Sequence, residues 1–242
     1  MTEEYMPILA ITMGDAAGSG PEIVVKALAD PEMYEISRPF VIGDAATMVE
    51  ALKITKVPGE IRPISKIAEA QYKPGVIDVI DLKNIDLAKL TRGQVNPMAG
   101  KAAFEYIKLA VDLALAGECD AIVTSAINKE ALNKAGYHYD GHTQILAELC
   151  GAKEVAMMLA TGKLRVSHVS THVSLFKAIE RVKLPRILTV LKLTNEAMKE
   201  MGIENPRIVV SGLNPDAGEG GLFGDEESKH IIPAIEEGKR LG

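Results

Sequence analysis

Short β-branched runs alternate with longer amphipathic stretches through most of the 242 residues, and this rhythm limits the fold more than any other feature. Ile8–Met13, Phe40–Ile42, Ile61–Ile64, Val76–Leu82 and Ala121–Thr124 read as strands, with Pro58-Gly59 and Pro74-Gly75 as turns. Pro21–Leu28 reads as a helix entered through Ser19-Gly20, and Ala45–Leu52 as a second. The clearest helix opens at Asn96-Pro97, a cap followed by a proline suited to the first turn, and runs to Gly117. Further helices start at Lys129, stopped by Gly136, and cover Thr143–Cys150. Strands separated by helices predict an α/β protein with a parallel sheet covered by helices.

The second half is less regular. Val155–Ala160 and Leu164–Val169 read as a strand pair joined by Thr161-Gly162-Lys163. A helix from Leu184-Pro185 to Gly202 and a buried strand at Arg207–Ser211 follow, then a final helix from about Asp225. The stretch Thr91–Gly100 is the expected junction between two lobes. The sequence stops at Gly242 just after a helix, so it reads as interrupted there.

Composition removes several function classes. Aromatics make up 4% with no Trp, and the net charge is −6, which argues against base stacking and against general affinity for nucleic-acid phosphates. No apolar run approaches the ~20 residues that a membrane span needs. The start, Met1-Thr2-Glu3-Glu4-Tyr5, is acidic and unlike a signal peptide, so a soluble cytoplasmic protein is expected. Cys119 and Cys150 are expected to be buried free thiols.

In open α/β sheets, ligands bind at the carboxyl ends of strands. Those ends carry Gly14-Asp15 with Gly18 and Gly20, then Thr124-Ser125 with Asn128-Lys129, then Thr171-His172, and then Gly212–Gly221; Gly141-His142-Thr143 leads into a helix. The Gly14–Pro21 turn can cradle an anion on backbone N–H groups, though a tight strand-to-helix turn without a ligand explains it equally. Thr143 could be no more than a helix cap, with His142 an exposed loop residue. His168 and His172 share one face if the strand continues, and only His172 reaches its end, leaving His168 as a hydrogen-bonded core or cleft residue. His172 and Asp216 together offer a nitrogen and a carboxylate to a divalent cation. His138 and His230 read as solvent-facing. The run Gly212-Leu213-Asn214-Pro215-Asp216-Ala217-Gly218-Glu219-Gly220-Gly221 spends four glycines in ten residues, which suits a functional loop better than a packed one.

These blocks resemble a known family. Thr12-Met13-Gly14-Asp15-Ala16-Ala17-Gly18-Ser19-Gly20-Pro21-Glu22 is similar to the opening motif of the 4-hydroxythreonine-4-phosphate dehydrogenases. Ser125-Ala126-Ile127-Asn128-Lys129-Glu130, Gly141-His142-Thr143, Thr171-His172 and the Gly212–Gly221 loop follow in the family's order. Met157-Met158-Leu159 and Leu164-Arg165-Val166 look more like the branch acting on 4-phospho-threonate or 4-phospho-erythronate. The resemblance implies a two-lobed α/β/α sandwich similar to isocitrate and isopropylmalate dehydrogenases, its cleft completed in a homodimer. It implies NAD-dependent oxidation of a phosphorylated 3-hydroxy acid, assisted by a divalent metal (Zn, Mg, Mn or Co) and followed by decarboxylation, in a family tied to pyridoxine biosynthesis. His142 and Thr143 would bind substrate, His172 would bind the metal, and Lys129 would bind phosphate or relay a proton.

Two departures stand out. The family's second metal histidine is replaced by Asp216, and its third lies beyond Gly242, together with several contacts to substrate and cofactor. A 242-residue chain would then lack part of its active site. Two other readings remain at this stage: a catalytically silent binder of a phosphorylated acid, and a phosphotransferase built on a similar scaffold.

Overall fold

A computed structural model describes residues 5–242; the first four, which include most of the acidic start, lie outside the described residues. The chain divides into two compact units, Met1–Gly151 and Ala152–Gly242. The division falls well after Thr91–Gly100. That stretch is instead tied into the first unit, where the Gly93 N–H donates to the Ala17 carbonyl over 2.7 Å.

The first unit is built on β1 (Ile8–Thr12), β2 (Arg38–Gly43), β3 (Glu60–Ile64), β4 (Val76–Asp81) and β5 (Ala121–Thr124), in the order β3-β4-β2-β1-β5. Every pairing is parallel, with Ile11 opposite Val41 on one side and Val123 on the other. β1 and β2 are largely apolar on both faces, as a covered parallel sheet requires. Phe40, Val41, Ile42 and Val79 are fully buried. Burying each such side chain contributes about 1.5–3 kcal/mol.

The helices α1 (Gly20–Ala27), α2 (Glu32–Ile36), α3 (Ala45–Thr55), α4 (Pro97–Leu115), α5 (Lys129–Lys134) and α6 (His142–Leu149) complete this unit. α3 is capped by Asp44, whose side chain accepts the Thr47 N–H at 2.8 Å, and α4 by Asn96, whose side chain accepts the Met98 N–H at 2.9 Å. α4 packs against β1, β2 and β5. Its Gly100 touches α5 so closely that a Cβ would lie 2.2 Å from the Ala131 carbonyl oxygen. A second small core of Phe104, Ile107, Leu132 and Ile145 fastens α4, α5 and α6 to one another.

The second unit holds an antiparallel pair, β6 (Met158–Thr161) and β7 (Leu164–Ser167), with α7 (Leu175–Arg181), α8 (Leu184–Glu200) and α9 (Ile232–Leu241). Its core is Ile187, Ile231 and Ala234, joined by Val210 and Leu191. A π-helical turn at Glu227–Ile231 leads into α9, where the sequence predicts the last helix to begin.

Three expectations are corrected here. Arg207–Ser211 forms no strand, because it pairs with no neighbour among the described residues. Only Val210 of its valines turns inward, while Val209 is 91% exposed. β7 stops at Ser167, so His168 and His172 do not share the face of one strand, and His172 lies in a bend beyond it. Both cysteines are free thiols, but only Cys119 is buried and Cys150 is exposed. No helix among the described residues is long and apolar enough to cross a membrane.

Candidate functional site

In the first unit β1 has β2 on one side and β5 on the other, so the chain direction of winding reverses between β1 and β5. Ligands bind at the carboxyl ends of strands at such a reversal. The two loops leaving those strands are locked together. The Asp15 N–H donates to the Ala126 carbonyl (2.8 Å), the Ser125 hydroxyl to the Gly20 carbonyl (3.2 Å), and the Ser125 N–H to the Thr12 hydroxyl oxygen (3.3 Å). Gly14 has a left-handed φ of +79° and no room for a side chain, since a Cβ would meet the Ala126 oxygen at 2.4 Å. Gly14 and Gly20, whose added Cβ would stand 2.6 Å from the Met13 oxygen and 3.2 Å from Ser125 Oγ, are therefore needed for the close approach of two loops.

Asp15 is buried within the turn, where its carboxylate accepts the Ala17 N–H at 2.9 Å. Burial pushes its carboxyl above the ordinary 3.8 despite that hydrogen bond. Beside the turn, Arg92 approaches Glu22 of α1 at 3.5 Å.

β5 leads through Ser125–Asn128 into α5, whose cap Asn128 accepts the Ala131 N–H at 3.0 Å. Lys129 is the first residue of α5, and its Cε lies 4.0 Å from where a Cβ on Gly141 would stand. Gly141 caps α6, so Thr143, the second residue of the helix, is an exposed first-turn hydroxyl and not the cap. Fully buried Ile145, on the same helix, is pinned in the small core and fixes where His142 sits. The His142 ring is half-buried, and its Nε2 is enclosed with no partner among the described residues. Burial lowers its pKa from the ordinary 6.5, partly opposed by hydrogen bonding to the Ser125 backbone. The first unit thus gathers Ser125, Lys129 and His142, with Thr143 next in the chain. A buried, neutral imidazole nitrogen without a partner is a group waiting for a hydrogen-bonding ligand.

The second unit carries His172 and Asp216. His172 is exposed and holds a left-handed φ of +55°, an uncommon conformation for a residue with a side chain. His168 is partly buried; its backbone N–H donates to the Met157 carbonyl at 3.0 Å, and its ring Nδ1 lies 3.4 Å from the same oxygen, in keeping with a bonded structural histidine. His138 is exposed and pairs with Asn133, whereas His230 is partly buried and lies 3.3 Å from Lys183 Nζ.

Asp216 stands exposed in the glycine-rich loop, and its carboxylate takes part in no hydrogen bond among the described residues. Ala217, Gly218, Glu219, Gly220 and Gly221 all have positive φ. Holding Ala217 and Glu219 in that region costs roughly 1–2 kcal/mol each. Glu227, which sequence reasoning did not single out, is buried beneath this loop and accepts the N–H groups of Leu213 (2.9 Å) and Asn214 (2.8 Å). The Asn214 N–H, foremost, holds the Glu227 carboxyl below the ordinary 4.5. Among the described residues no three His, Cys, Asp or Glu side chains cluster as a metal site. What the second unit presents is two exposed donors of suitable chemistry, an imidazole and an unpaired carboxylate.

Comparison with known proteins decides the family. The profile described as pyridoxal phosphate biosynthetic protein PdxA matches residues 35–242. The chain belongs to the PdxA family. A Clostridium botulinum relative named "Putative D-threonate 4-phosphate dehydrogenase" is 46% identical over 98% of this chain and 71% of its own length. An Oceanobacillus iheyensis relative of the same name is 48% identical over the same shares. The crystal structure of a 4-hydroxythreonine-4-phosphate dehydrogenase from Burkholderia phymatum superposes with a TM-score of 0.90 at 47% identity, covering 99% of this chain and 72% of that one. The α/β architecture with a helix-covered parallel sheet is therefore that of the PdxA family.

Proposed function

We propose that this chain is a dehydrogenase that oxidises the C–OH group of a phosphorylated hydroxy acid, of the 4-phospho-threonate, 4-phospho-erythronate or 4-phosphohydroxy-threonine type. The single observation carrying this is the buried, unpartnered Nε2 of His142 at the reversal of the parallel sheet, in a chain whose relatives bear dehydrogenase names. In this reading NAD would accept the hydride, a divalent metal would assist, and the β-keto acid product would lose carbon dioxide. The two-lobed arrangement similar to isocitrate dehydrogenases, dimerisation and a cytoplasmic setting belong to the same reading.

The residues divide the work by chemistry. His142 is held neutral by burial, so at neutral pH it can accept a substrate hydroxyl proton in a hydrogen bond at Nε2 or donate one to a substrate oxygen, according to tautomer. The exposed Thr143 hydroxyl adds a second bond that orients the acid. Lys129, beside Gly141, supplies a cation for the phosphate or relays a proton. The Gly14–Gly20 turn spends its Asp15, Ala17 and Gly18 N–H groups on its own contacts, so no anion is assigned to it. His172 and Asp216 would hold the divalent cation, which when bound stabilises negative charge developing on the substrate oxygen. A carboxylate in place of a histidine favours harder ions such as Mg²⁺ or Mn²⁺.

The test is direct. Purified chain mixed with NAD⁺, Mn²⁺ and 4-phospho-threonate should generate NADH, and His142→Asn should abolish it. No NADH with any phosphorylated hydroxy acid would overturn the reading.

A further inference from the structure

The loop bearing Asp216 is fastened from within by one carboxylate. Glu227 is 6% exposed, and its Oε1 accepts two consecutive backbone N–H groups, from Leu213 and Asn214. Asn214 passes the constraint on. Its own side-chain oxygen accepts the Asp216 N–H at 2.8 Å, and its amide nitrogen reaches the Phe223 carbonyl at 3.4 Å, drawing the two ends of the loop together. Two hydrogen bonds in series thus connect a buried carboxylate to the backbone of the exposed one.

The opposite side of Glu227 is shaped to admit backbone. A Cβ on Gly218 would lie 3.4 Å from Oε2 and 2.7 Å from the Gly224 carbonyl oxygen, so the left-handed glycine is required where the loop crosses the carboxylate. Oε2 is enclosed and has no partner among the described residues. A buried oxygen left in that state costs stability, and such a cost calls for an explanation. The carboxylate also sits on a π-helical turn, a rare form that occurs frequently at functional sites.

We propose that Glu227 is a positioning residue for Asp216: by holding Leu213 and Asn214 it sets the loop shape in which the Asp216 carboxylate faces outward to a divalent cation. This rests on the reading of Asp216 as a metal ligand. The role is that of an outer residue that orients a ligand without touching the metal.

The experiment compares the chain with Glu227→Ala, Glu227→Gln and Asp216→Asn. Backbone hydrogen exchange over residues 213–221 reports the loop, and electron paramagnetic resonance of free Mn²⁺ reports binding. Glu227→Ala should speed exchange at Leu213 and Asn214 and weaken Mn²⁺ binding about tenfold, as loss of an orienting partner typically does. Glu227→Gln keeps an Oε1 acceptor and should restore most of both. Asp216→Asn should lose Mn²⁺ while exchange stays as it was. Faster exchange with unchanged Mn²⁺ affinity would make Glu227 a plain loop staple and overturn the proposal, as would unchanged exchange in Glu227→Ala. If the unaltered chain binds no Mn²⁺, the metal reading of Asp216 fails and takes the proposal with it; the exchange data then still show whether Glu227 holds the loop.

Discussion

Replacing Gly14 with alanine isolates how much the β1 and β5 loops depend on touching. Two costs add. The left-handed backbone at φ +79° strains any residue bearing a Cβ by roughly 1–2 kcal/mol. The new methyl would also sit 2.4 Å from the Ala126 oxygen, about 1 Å inside ordinary contact, so that carbonyl must retreat. Retreat breaks its 2.8 Å bond from the Asp15 N–H. Leaving that buried N–H unsatisfied costs about 1–3 kcal/mol more. The sum is about 2–5 kcal/mol, at the severe end for a single substitution. Gly93→Ala is the control: its φ is +75°, yet nothing lies within 4 Å of the added Cβ, so only the backbone strain should appear. Hydrogen exchange at the slow amides of β1 and β5 reads the first unit by itself, with urea unfolding followed by circular dichroism as a second measure. Gly14→Ala should lose about 1–3 kcal/mol more than Gly93→Ala. Equal losses would show that the two loops do not support each other.

Two further outcomes follow from the charged groups. Because burial lowers the pKa of His142, the folded form resists protonation more than the unfolded chain, whose histidine titrates near 6.5. Its contribution to stability is full above that value and is lost as pH falls toward the folded pKa; His142→Asn should flatten this part of a stability-versus-pH curve, and an unchanged slope would place its origin elsewhere. Asp216→His should shift metal preference from Mn²⁺ toward Zn²⁺ or Co²⁺ in a competition titration, since imidazole suits the latter ions better; an unchanged ratio would take Asp216 off the metal.

What could be read in advance follows burial. β1 and β2 announce themselves because a covered parallel strand must be largely apolar on both faces, and the cap at Asn96 marks α4 through the same hydrogen bond seen in the fold. α7 escaped because it buries none of its residues: Leu175 is 85% exposed and Phe176 72%, so its apolar positions follow no inward face. α2 is only five residues long and buries Tyr34 alone. Ile208-Val209-Val210 misled for the opposite reason, since β-branched residues favour a strand but a strand also needs a partner. At the site, Lys129 and His142 could be found from loop position and resemblance. Glu227 could not, because one acid among Asp225, Glu226 and Glu227 looks like an ordinary charged helix entrance until the loop folds over it.

The close crossing of α4 and α5 has a consequence for what the first unit can select. α4 is a rod roughly 28 Å long, capped at Asn96 just after the loop that bonds to the glycine turn, and pressed through Gly100 onto the helix that begins with Lys129. With no space for even a methyl group between the two helices, the start of α5 cannot slide along α4. Any group that Lys129 meets in the proposed reading then finds a helix start with little motion left to freeze, so affinity at Lys129 should be set by fit and not by adaptation.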